Sequence, residues 1–171
     1  MDSVFSAHPD KSVRLYFHIS YFQPSDRTAQ TSETMNKENK EPIFEFDFNL
    51  ITDFFRALER QGPGGDEQTL RALEFIPNIH PCLRVADIGC GTGHQTEVLA
   101  RHLDASITAV DLLPGMIEEL GARLQRAGLG DRVTALVRSM DDLPFRDREF
   151  DLIWAEGSIY NIGFERGLTE W

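Results

Sequence analysis

A glycine-rich turn is the part of this sequence best suited to chemistry. Residues 83–93 are L-R-V-A-D-I-G-C-G-T-G, an apolar strand followed by Gly89, Gly91 and Gly93 around Cys90. Glycine has no side chain, so the backbone of such a turn bends sharply and approaches a ligand closely. The pattern is typical of a nucleotide-type site at the end of a strand in an α/β sheet.

Two features of this turn argue against a dinucleotide as its ligand. The G-x-G-x-x-G fingerprint, counted from Gly89, requires a glycine at position 94, where the sequence has His94. The carboxylate of Asp87 would repel a pyrophosphate, whereas it suits a cationic ligand. S-adenosylmethionine, which carries a sulfonium and an ammonium and no phosphate, fits both features.

Asp111 is the candidate partner of a ribose. It follows Gly89 by 22 positions, close to the spacing of about 20 at which an acidic residue accepts hydrogen bonds from ribose hydroxyls. Leu112 would then lie against an adenine. The alternative is that Asp111 caps the helix that begins at Pro114, but this leaves its spacing from the turn unexplained.

Four segments together resemble a known family. V-A-D-I-G-C-G-T-G (residues 85–93) is similar to motif I of the class I S-adenosylmethionine-dependent methyltransferases. I-T-A-V-D-L-L-P-G-M-I (107–117), S-M-D-D-L-P-F (139–145) and F-D-L-I-W-A-E-G-S-I-Y-N-I-G (150–163) agree in order and spacing. Two further stretches, R-Q-G-P-G (60–64) and E-G-S-I-Y-N-I-G-F-E-R-G (156–167), are similar to bacterial small-molecule methyltransferases of the ubiquinone-biosynthesis-like type. The resemblance covers roughly the C-terminal half and implies a Rossmann-like, doubly wound, mostly parallel sheet flanked by helices, with S-adenosyl-L-methionine as cofactor.

The resemblance also implies roles for single residues. The turn would wrap the methionine end of the cofactor, the segment after the third strand would meet the adenine edge, and the segment after the fourth would form the opposite lip. Asp141 could instead belong to a turn, and Glu156 could be a base, a partner of the sulfonium or a structural hydrogen-bonding group. The predicted cofactor-binding residues are Asp87, Gly89, Cys90, Gly91, Gly93, Asp111, Leu112, Ser139, Met140, Asp141, Glu156 and Gly157.

The composition limits the classes of partner that the protein is expected to bind. The 171 residues suit one domain, and the formal net charge is −11, with 17 Lys and Arg against 28 Asp and Glu. No basic face for nucleic acid is therefore expected. Cys82 and Cys90 do not form a disulfide framework, and no apolar run is long enough for a membrane span or a secretory signal, which predicts a cytoplasmic protein without a membrane partner. His8 and His18 lack partners at ligand spacing, so no metal site is predicted.

Hydrophobic periodicity predicts the elements that position the site. An amphipathic helix from Phe46 is expected, and a second helix begins with Asp66 as N-cap. The apolar face of the first helix is expected to pack in the core: Phe48, Ile51, Phe54, Phe55 and Leu58. The resemblance places this pair over the cofactor mouth, where Arg60 and Gln61 either touch a ligand or only form a turn. The first amides of the helix that follows the glycine turn suit a carboxylate. The further predicted elements are helices at 95–103 and 114–128, strands at 106–110, 133–137 and 150–154, and a last helix near the end of the chain.

The two ends of the chain carry separate expectations. Residues 1–41 are predicted to be a poorly ordered extension, in which only 13–22 has strand-like composition, with natural translation starting at Met35. Residues 42–171 are predicted to be the N-terminal part of a methyltransferase domain, truncated after about four of seven strands. The strand at 150–154 would then be an unpaired edge, through which the protein could self-associate.

The sequence therefore predicts transfer of the methyl group of S-adenosylmethionine to a small-molecule acceptor. Because the leaving group is a neutral thioether, alignment is the main requirement and no catalytic residue is assigned. Two alternatives remain open. One is a cofactor-binding fragment without catalysis, and the other, disfavoured by His94 and Asp87, is a nicotinamide-dependent oxidoreductase.

Overall fold

The computed structural model of the protein describes residues 14–18 and 48–171. In this part of the chain five parallel strands form one sheet in the order β1-β5-β2-β3-β4. The strands are β1 (Arg14–His18), β2 (Leu83–Ile88), β3 (Ala105–Asp111), β4 (Val133–Val137) and β5 (Leu152–Glu156). The helices are α1 (Phe48–Arg56), α2 (Asp66–Glu74), α3 (His94–His102), α4 (Pro114–Ala127) and α5 (Phe164–Glu170), with 3-10 turns at Gly130–Arg132 and Ile159–Asn161.

The order of strands places the site. β2 lies at the centre, with β3 on one side and β5 on the other, so the chain winds outward from β2 in both directions. Asp87 is in register with Ala109 of β3 and with Trp154 of β5. Ligands of open α/β sheets bind beyond the carboxyl ends of the strands at such a reversal of order. The glycine turn, which follows β2, lies at this point.

Both faces of the sheet are covered by apolar packing. On one face Val85, Ile107 and Trp154 pack with Leu73 of α2 and Leu99 of α3. A second cluster joins Cys90 and the buried face of α4, and a third packs the opposite side of β2 and β5 against α5 and the segment after β4. Strands buried on both faces are typical of doubly wound parallel sheets. The predicted fold class is confirmed, and the four predicted strands are all present.

The predicted unpaired edge is wrong. β1 pairs in parallel with β5, from Arg14 opposite Leu152 to His18 opposite Glu156. A strand remote in sequence thus supplies the backbone partners that the sequence prediction left missing. The premise for self-association through this edge is removed. The rest of the predicted extension, its boundary at residue 41 and the start at Met35 lie outside the described residues.

Two local predictions near the site are also wrong. Phe54 and Leu58, expected in the core, are 63% and 40% exposed. α1 instead approaches α4 through Thr52, whose Cγ2 lies 2.5 Å from the position of a Cβ added to Gly115. The N-cap of α2 is Gly65, and Asp66 is the first residue of that helix. Within the described residues no helix is long and apolar enough to cross a membrane.

Candidate functional site

A cavity of about 790 Å³ opens at the carboxyl ends of β2, β3 and β5. Its size lies within the range of about 300–1,000 Å³ that is typical of small-molecule sites. The α1–α2 connection (residues 57–65) contributes part of its wall. Ten of the twelve predicted cofactor-binding residues line it: Gly89, Cys90, Gly91, Asp111, Leu112, Ser139, Met140, Asp141, Glu156 and Gly157. Asp87 and Gly93 do not.

The backbone geometry of the turn requires glycine at positions 89 and 91. Gly89 has φ +78°, and a Cβ at this position would lie 2.3 Å from the Cβ of Ser158. Ser158 is itself fixed, because its Oγ donates a hydrogen bond to the carbonyl oxygen of Ile88 over 2.6 Å. Gly91 has φ +56°, and its added Cβ would lie 2.6 Å from Oε1 of Gln61. A side chain at either position would both strain the backbone and collide with a neighbour.

Asp111 is held at the end of β3 by backbone amides. Its Oδ2 accepts a hydrogen bond from the amide of Gly91 (2.9 Å) and its Oδ1 accepts one from the amide of Leu113 (3.0 Å). Burial raises the pKa of Asp111, and the amides of Leu113, Gly91 and Leu112 oppose that rise. Each carboxylate oxygen can accept a second hydrogen bond. The side chain is therefore oriented by the turn and still able to accept from two hydroxyls.

Asp87 supports the turn from behind the cavity wall. It is fully buried, and its Oδ2 accepts a hydrogen bond from Oγ1 of Thr96 over 2.6 Å, whereas Oδ1 has no partner among the described residues. Burial raises the pKa of Asp87 from 3.8 to about 7; Thr96 opposes the rise and the charge of Glu156 adds to it. Asp87 therefore does not line the cavity, because Thr96 of α3 covers its side chain. Its predicted contact with the cofactor remains a prediction.

This pKa makes the stability of the protein pH-dependent in a defined direction. Because the pKa of Asp87 is 3.8 in its ordinary state and about 7 in the fold, the folded state keeps a proton that the unfolded state releases between these values. The stability from this group is complete below pH 3.8 and is lost as the pH rises through 7. We expect Asp87→Asn to remove this slope, so that wild type loses roughly 2 kcal/mol relative to the variant between about pH 5 and pH 7.

Denaturant unfolding of both proteins across this pH range measures the difference. Asp142→Asn, which changes an exposed carboxylate close to the site, is the matched control and should follow wild type. Parallel stability curves for wild type and Asp87→Asn would contradict the buried, protonated state of Asp87.

Gly93 is a structural residue, and the amides before α3 are already engaged. Gly93 is the N-cap of α3, with φ +81°, and its added Cβ would lie 2.1 Å from Cδ1 of Leu120. The amide of Gly93 donates to the carbonyl oxygen of Cys90 (3.0 Å), and the amide of Thr92 donates to Oε1 of Gln61 (3.0 Å). Close packing against α4 therefore explains the glycine. The expected carboxylate site at the start of α3 gains no support from these amides.

Gln61 fastens the α1–α2 connection to the glycine turn. Its Oε1 accepts hydrogen bonds from both the amide and the hydroxyl of Thr92, each over 3.0 Å. Its Nε2 donates to the carbonyl oxygens of Phe55 (3.0 Å), at the end of α1, and of Leu58 (3.2 Å), in the connection that follows. Gln61 therefore has a defined structural role in addition to lining the cavity.

Glu156 is the centre of a buried polar cluster. Its side chain is 4% exposed and pairs with the guanidinium of Arg60. Oγ1 of Thr69 lies 2.9 Å from its Oε2 and 3.1 Å from its Oε1, and Nε1 of Trp154 donates to Oε2 over 3.1 Å. A carboxylate with this many donors is held in one position. Of the alternatives left open for Glu156, the contacts favour the structural hydrogen-bonding role.

The segment after β4 is held by α5 and by Trp171, which follows that helix. Oγ of Ser139 contacts Oδ2 of Asp141 over 3.4 Å, and Asp141 pairs with Arg166. Nε1 of Trp171 donates to the carbonyl oxygen of Met140 over 3.2 Å. These contacts fix the wall of the cavity beside Leu112, whose side chain is 53% exposed. The roles predicted for this segment toward an adenine remain predictions.

Cys90 lines the cavity without the properties of a nucleophile. It is 1% exposed, and burial raises the pKa of its thiol well above the ordinary value, with the charges of Asp87 and Asp111 adding to the effect. A reactive cysteine requires an accessible thiolate. Cys90 is therefore a small residue of the turn. No group of His, Cys, Asp and Glu in the described part of the chain could hold a metal ion.

Comparison with known proteins gives the family. The model of the methyltransferase domain family matches residues 85–170, which is half of the chain. The chain belongs to this family. The predicted resemblance to class I S-adenosylmethionine-dependent methyltransferases is confirmed, and with it the predicted cofactor of the domain.

Two curated methyltransferases are similar to this domain over part of their length. A 27-O-demethylrifamycin SV methyltransferase of Amycolatopsis mediterranei is 28% identical over 100 residues, covering 57% of this chain and 37% of the relative. A malonyl-acyl-carrier-protein O-methyltransferase of Herminiimonas arsenicoxydans is 36% identical over 86 residues, covering 50% of this chain and 30% of the relative. The chain thus spans about a third of the length of each of these relatives.

Solved structures share the fold of the methyltransferase domain. The YcgJ protein of Bacillus subtilis superposes with a TM-score of 0.52 at 23% identity, over 60% of this chain and 43% of that protein. The (4+2)-cyclase SpnF superposes with a TM-score of 0.50 at 26% identity, over 57% of this chain and 37% of the cyclase. Because a cyclase shares the architecture, the fold alone does not decide the reaction.

Proposed function

We propose that the protein transfers a methyl group from S-adenosylmethionine to a small-molecule acceptor. The observation that carries this proposal is the cavity at the ends of β2, β3 and β5, where the glycine turn and the amide-held carboxylate of Asp111 meet. Family membership supports it, and the two relatives described above are named as a 27-O-demethylrifamycin SV methyltransferase and a malonyl-acyl-carrier-protein O-methyltransferase.

The residues present fit this cofactor. Asp111 offers acceptors for the two ribose hydroxyls, and Leu112 offers an exposed apolar surface for a base. The bare backbone of Gly89 and Gly91 leaves room that a Cβ would fill. At the opposite end of the cavity the buried Nε and Nη1 of Arg60 have no partner among the described residues. Hydroxyl, base and anionic groups would thus each meet a suitable partner.

When bound, S-adenosylmethionine supplies an electrophilic methyl group whose leaving group is a neutral thioether. The chain's own contribution is to align the reactants and to exclude water, which together can lower a barrier by roughly 7–11 kcal/mol. The α1–α2 connection lies over the cavity through Gln61 and Arg60, while Gly157 and Ser158 form the other side. No side chain has to exchange a proton with the leaving group.

The acceptor would occupy the part of the cavity beside the 3-10 turn at Ile159–Asn161. Tyr160 lines this part and is 72% exposed, and Phe164 contributes an aromatic ring. Such a wall suits an acceptor with apolar surface. A cytoplasmic location and the absence of nucleic-acid and membrane partners remain predictions from the composition.

The proposal is tested by following an isotopic label from the methyl group of S-adenosylmethionine. The purified protein is incubated with the labelled cofactor and a small-molecule metabolite extract, or with nucleic acid in a parallel reaction. We expect label in small-molecule products, after their separation from the unreacted cofactor, and none in nucleic acid. The amount of labelled product should be at least ten-fold above that of an Asp111→Ala control. Label only in nucleic acid, or hydride transfer with a nicotinamide cofactor and no label transfer, would contradict the proposal.

A further inference from the structure

The segment that follows β5 forms a wall of the cavity without a charged side chain. All eight residues from 157 to 164 line the cavity, and they read G-S-I-Y-N-I-G-F. The charges that flank this wall are already paired, since Glu156 binds Arg60 and Arg166 binds Asp141. A molecule that binds against residues 157–164 therefore meets only apolar and neutral polar groups.

The 3-10 turn within this wall is anchored on both sides of Tyr160. Oγ of Ser158 donates a hydrogen bond to the carbonyl oxygen of Ile88 over 2.6 Å, and Nδ2 of Asn161 donates one to the carbonyl oxygen of Ser158 over 2.9 Å. Ile159 is buried in the cluster that packs against α5. The side chain of Tyr160 is 72% exposed and makes no hydrogen bond, ion pair or ring contact with the described residues. The fold thus fixes the position of Tyr160 without using its ring.

The order of the strands assigns this wall to the acceptor. Asp111, the expected partner of the ribose, ends β3, and the glycine turn follows β2, whereas residues 157–164 follow β5 on the other side of β2. A cofactor that lies across the ends of β3 and β2 leaves the side of β5 open to the acceptor. Phe55 and Pro63, from the segments that cover the cavity, also line it and are uncharged. Burial of a charged group without an opposite charge is unfavourable, so a neutral acceptor fits this wall best.

We propose that the acceptor is an uncharged molecule with an apolar body, and that Tyr160 selects it by packing its ring against that body. This inference rests on the proposed function, since it assumes the same reaction. In that reaction the acceptor atom bonds the methyl carbon while the carbon–sulfur bond breaks, and the electron pair of that bond stays on sulfur. A neutral acceptor then releases one proton to water, so its methylated product is neutral as well.

The charge of the product tests the first half of the inference. Wild type is incubated with methyl-labelled S-adenosylmethionine and the small-molecule metabolite extract, and the products are extracted into ethyl acetate at about pH 7 and then at about pH 2. A reaction without protein gives the background. We expect most of the labelled product in the organic layer at about pH 7. Label extracted only at about pH 2 would indicate a carboxylic acid, and label that stays in water at both values would indicate a cationic or highly polar product. Either result overturns the inference.

Two variants of Tyr160 test the second half. Tyr160→Ala should slow the formation of extractable labelled product at least ten-fold, because it removes the ring that packs against the acceptor. Tyr160→Phe, which keeps the ring and removes the hydroxyl, should stay within three-fold of wild type. The affinity of both variants for S-adenosylhomocysteine, measured by calorimetry, should be unchanged. Phe75→Ala is the matched control, because Phe75 is 48% exposed and does not line the cavity, and its rate should equal that of wild type.

The remaining outcomes separate the inference from the proposed function. An unchanged rate in Tyr160→Ala would show that its ring does not select the acceptor. An equal loss in Tyr160→Ala and Tyr160→Phe would assign selection to the hydroxyl and overturn the apolar contact. Charged labelled products from a protein that binds S-adenosylhomocysteine would overturn the inference and leave the proposed function standing. Failure of folded wild type to bind S-adenosylhomocysteine, or binding without any labelled product, would overturn the proposed function as well.

Discussion

Asp111→Ala is expected to weaken binding of S-adenosylhomocysteine by ten-fold or more. The substitution removes both oxygens that would accept from the ribose hydroxyls, and hydrogen bonds to a charged group contribute roughly 1.5–3 kcal/mol each. It also frees the amides of Gly91 and Leu113, which the carboxylate now holds at 2.9 and 3.0 Å. Calorimetric titration of wild type and variant measures the loss.

Two controls separate the ribose contact from the loss of turn geometry. A cofactor analogue lacking both ribose hydroxyls should bind wild type and Asp111→Ala with similar affinity, because the contact under test is absent from both complexes. Asp142→Ala removes an exposed carboxylate that does not line the cavity and should bind like wild type. Equal weakening of both ligands by Asp111→Ala would assign the effect to the turn alone.

Gly89→Ala is expected to destabilise the protein by roughly 2–5 kcal/mol, from the left-handed backbone and the overpacking together. The φ of +78° disfavours any residue with a Cβ, and that Cβ would lie 2.3 Å from the Cβ of Ser158. Relief requires the turn or Ser158 to move, so affinity for S-adenosylhomocysteine should fall in any variant that still folds. Denaturant unfolding and calorimetry measure the two effects.

Two other glycines divide this effect into its causes. Gly128, the C-cap of α4, has φ +69°, and no atom of the described residues lies within 4 Å of an added Cβ, so Gly128→Ala tests backbone strain alone. Gly121 lies inside α4 with the same open space, and Gly121→Ala should stabilise the protein by about 0.5–1 kcal/mol. If Gly89→Ala costs no more stability than Gly128→Ala, the collision with Ser158 does not contribute.

The features that follow local rules were predictable from the sequence. β2 and the turn after it are encoded within residues 83–93, and the position of Asp111 follows from the length of one helix and one strand. β4 was predicted with its observed bounds, Val133–Val137. Ten of the twelve predicted residues line one cavity because parallel strands bring their carboxyl ends to one edge of the sheet.

The features that depend on remote contacts were not predictable. In the sequence Arg60 lies 96 positions from Glu156, and Thr69 lies 87 positions from it. No local sequence pattern therefore predicts the cluster around Glu156. The pairing of β1 with β5 has the same cause. The contact of Asp87 with the cofactor stays a prediction, but its burial under α3, toward Thr96, depends on how β2 packs and was not evident from the sequence.

The central claim is that the cavity at the ends of β2, β3 and β5 is a site for S-adenosylmethionine, and one titration tests it most directly. S-adenosylhomocysteine and NAD are titrated in turn into the folded protein by calorimetry. We predict saturable binding of one S-adenosylhomocysteine per chain and no measurable binding of NAD at the same concentrations. Saturable binding of NAD with none of S-adenosylhomocysteine would contradict the claim and restore the oxidoreductase alternative.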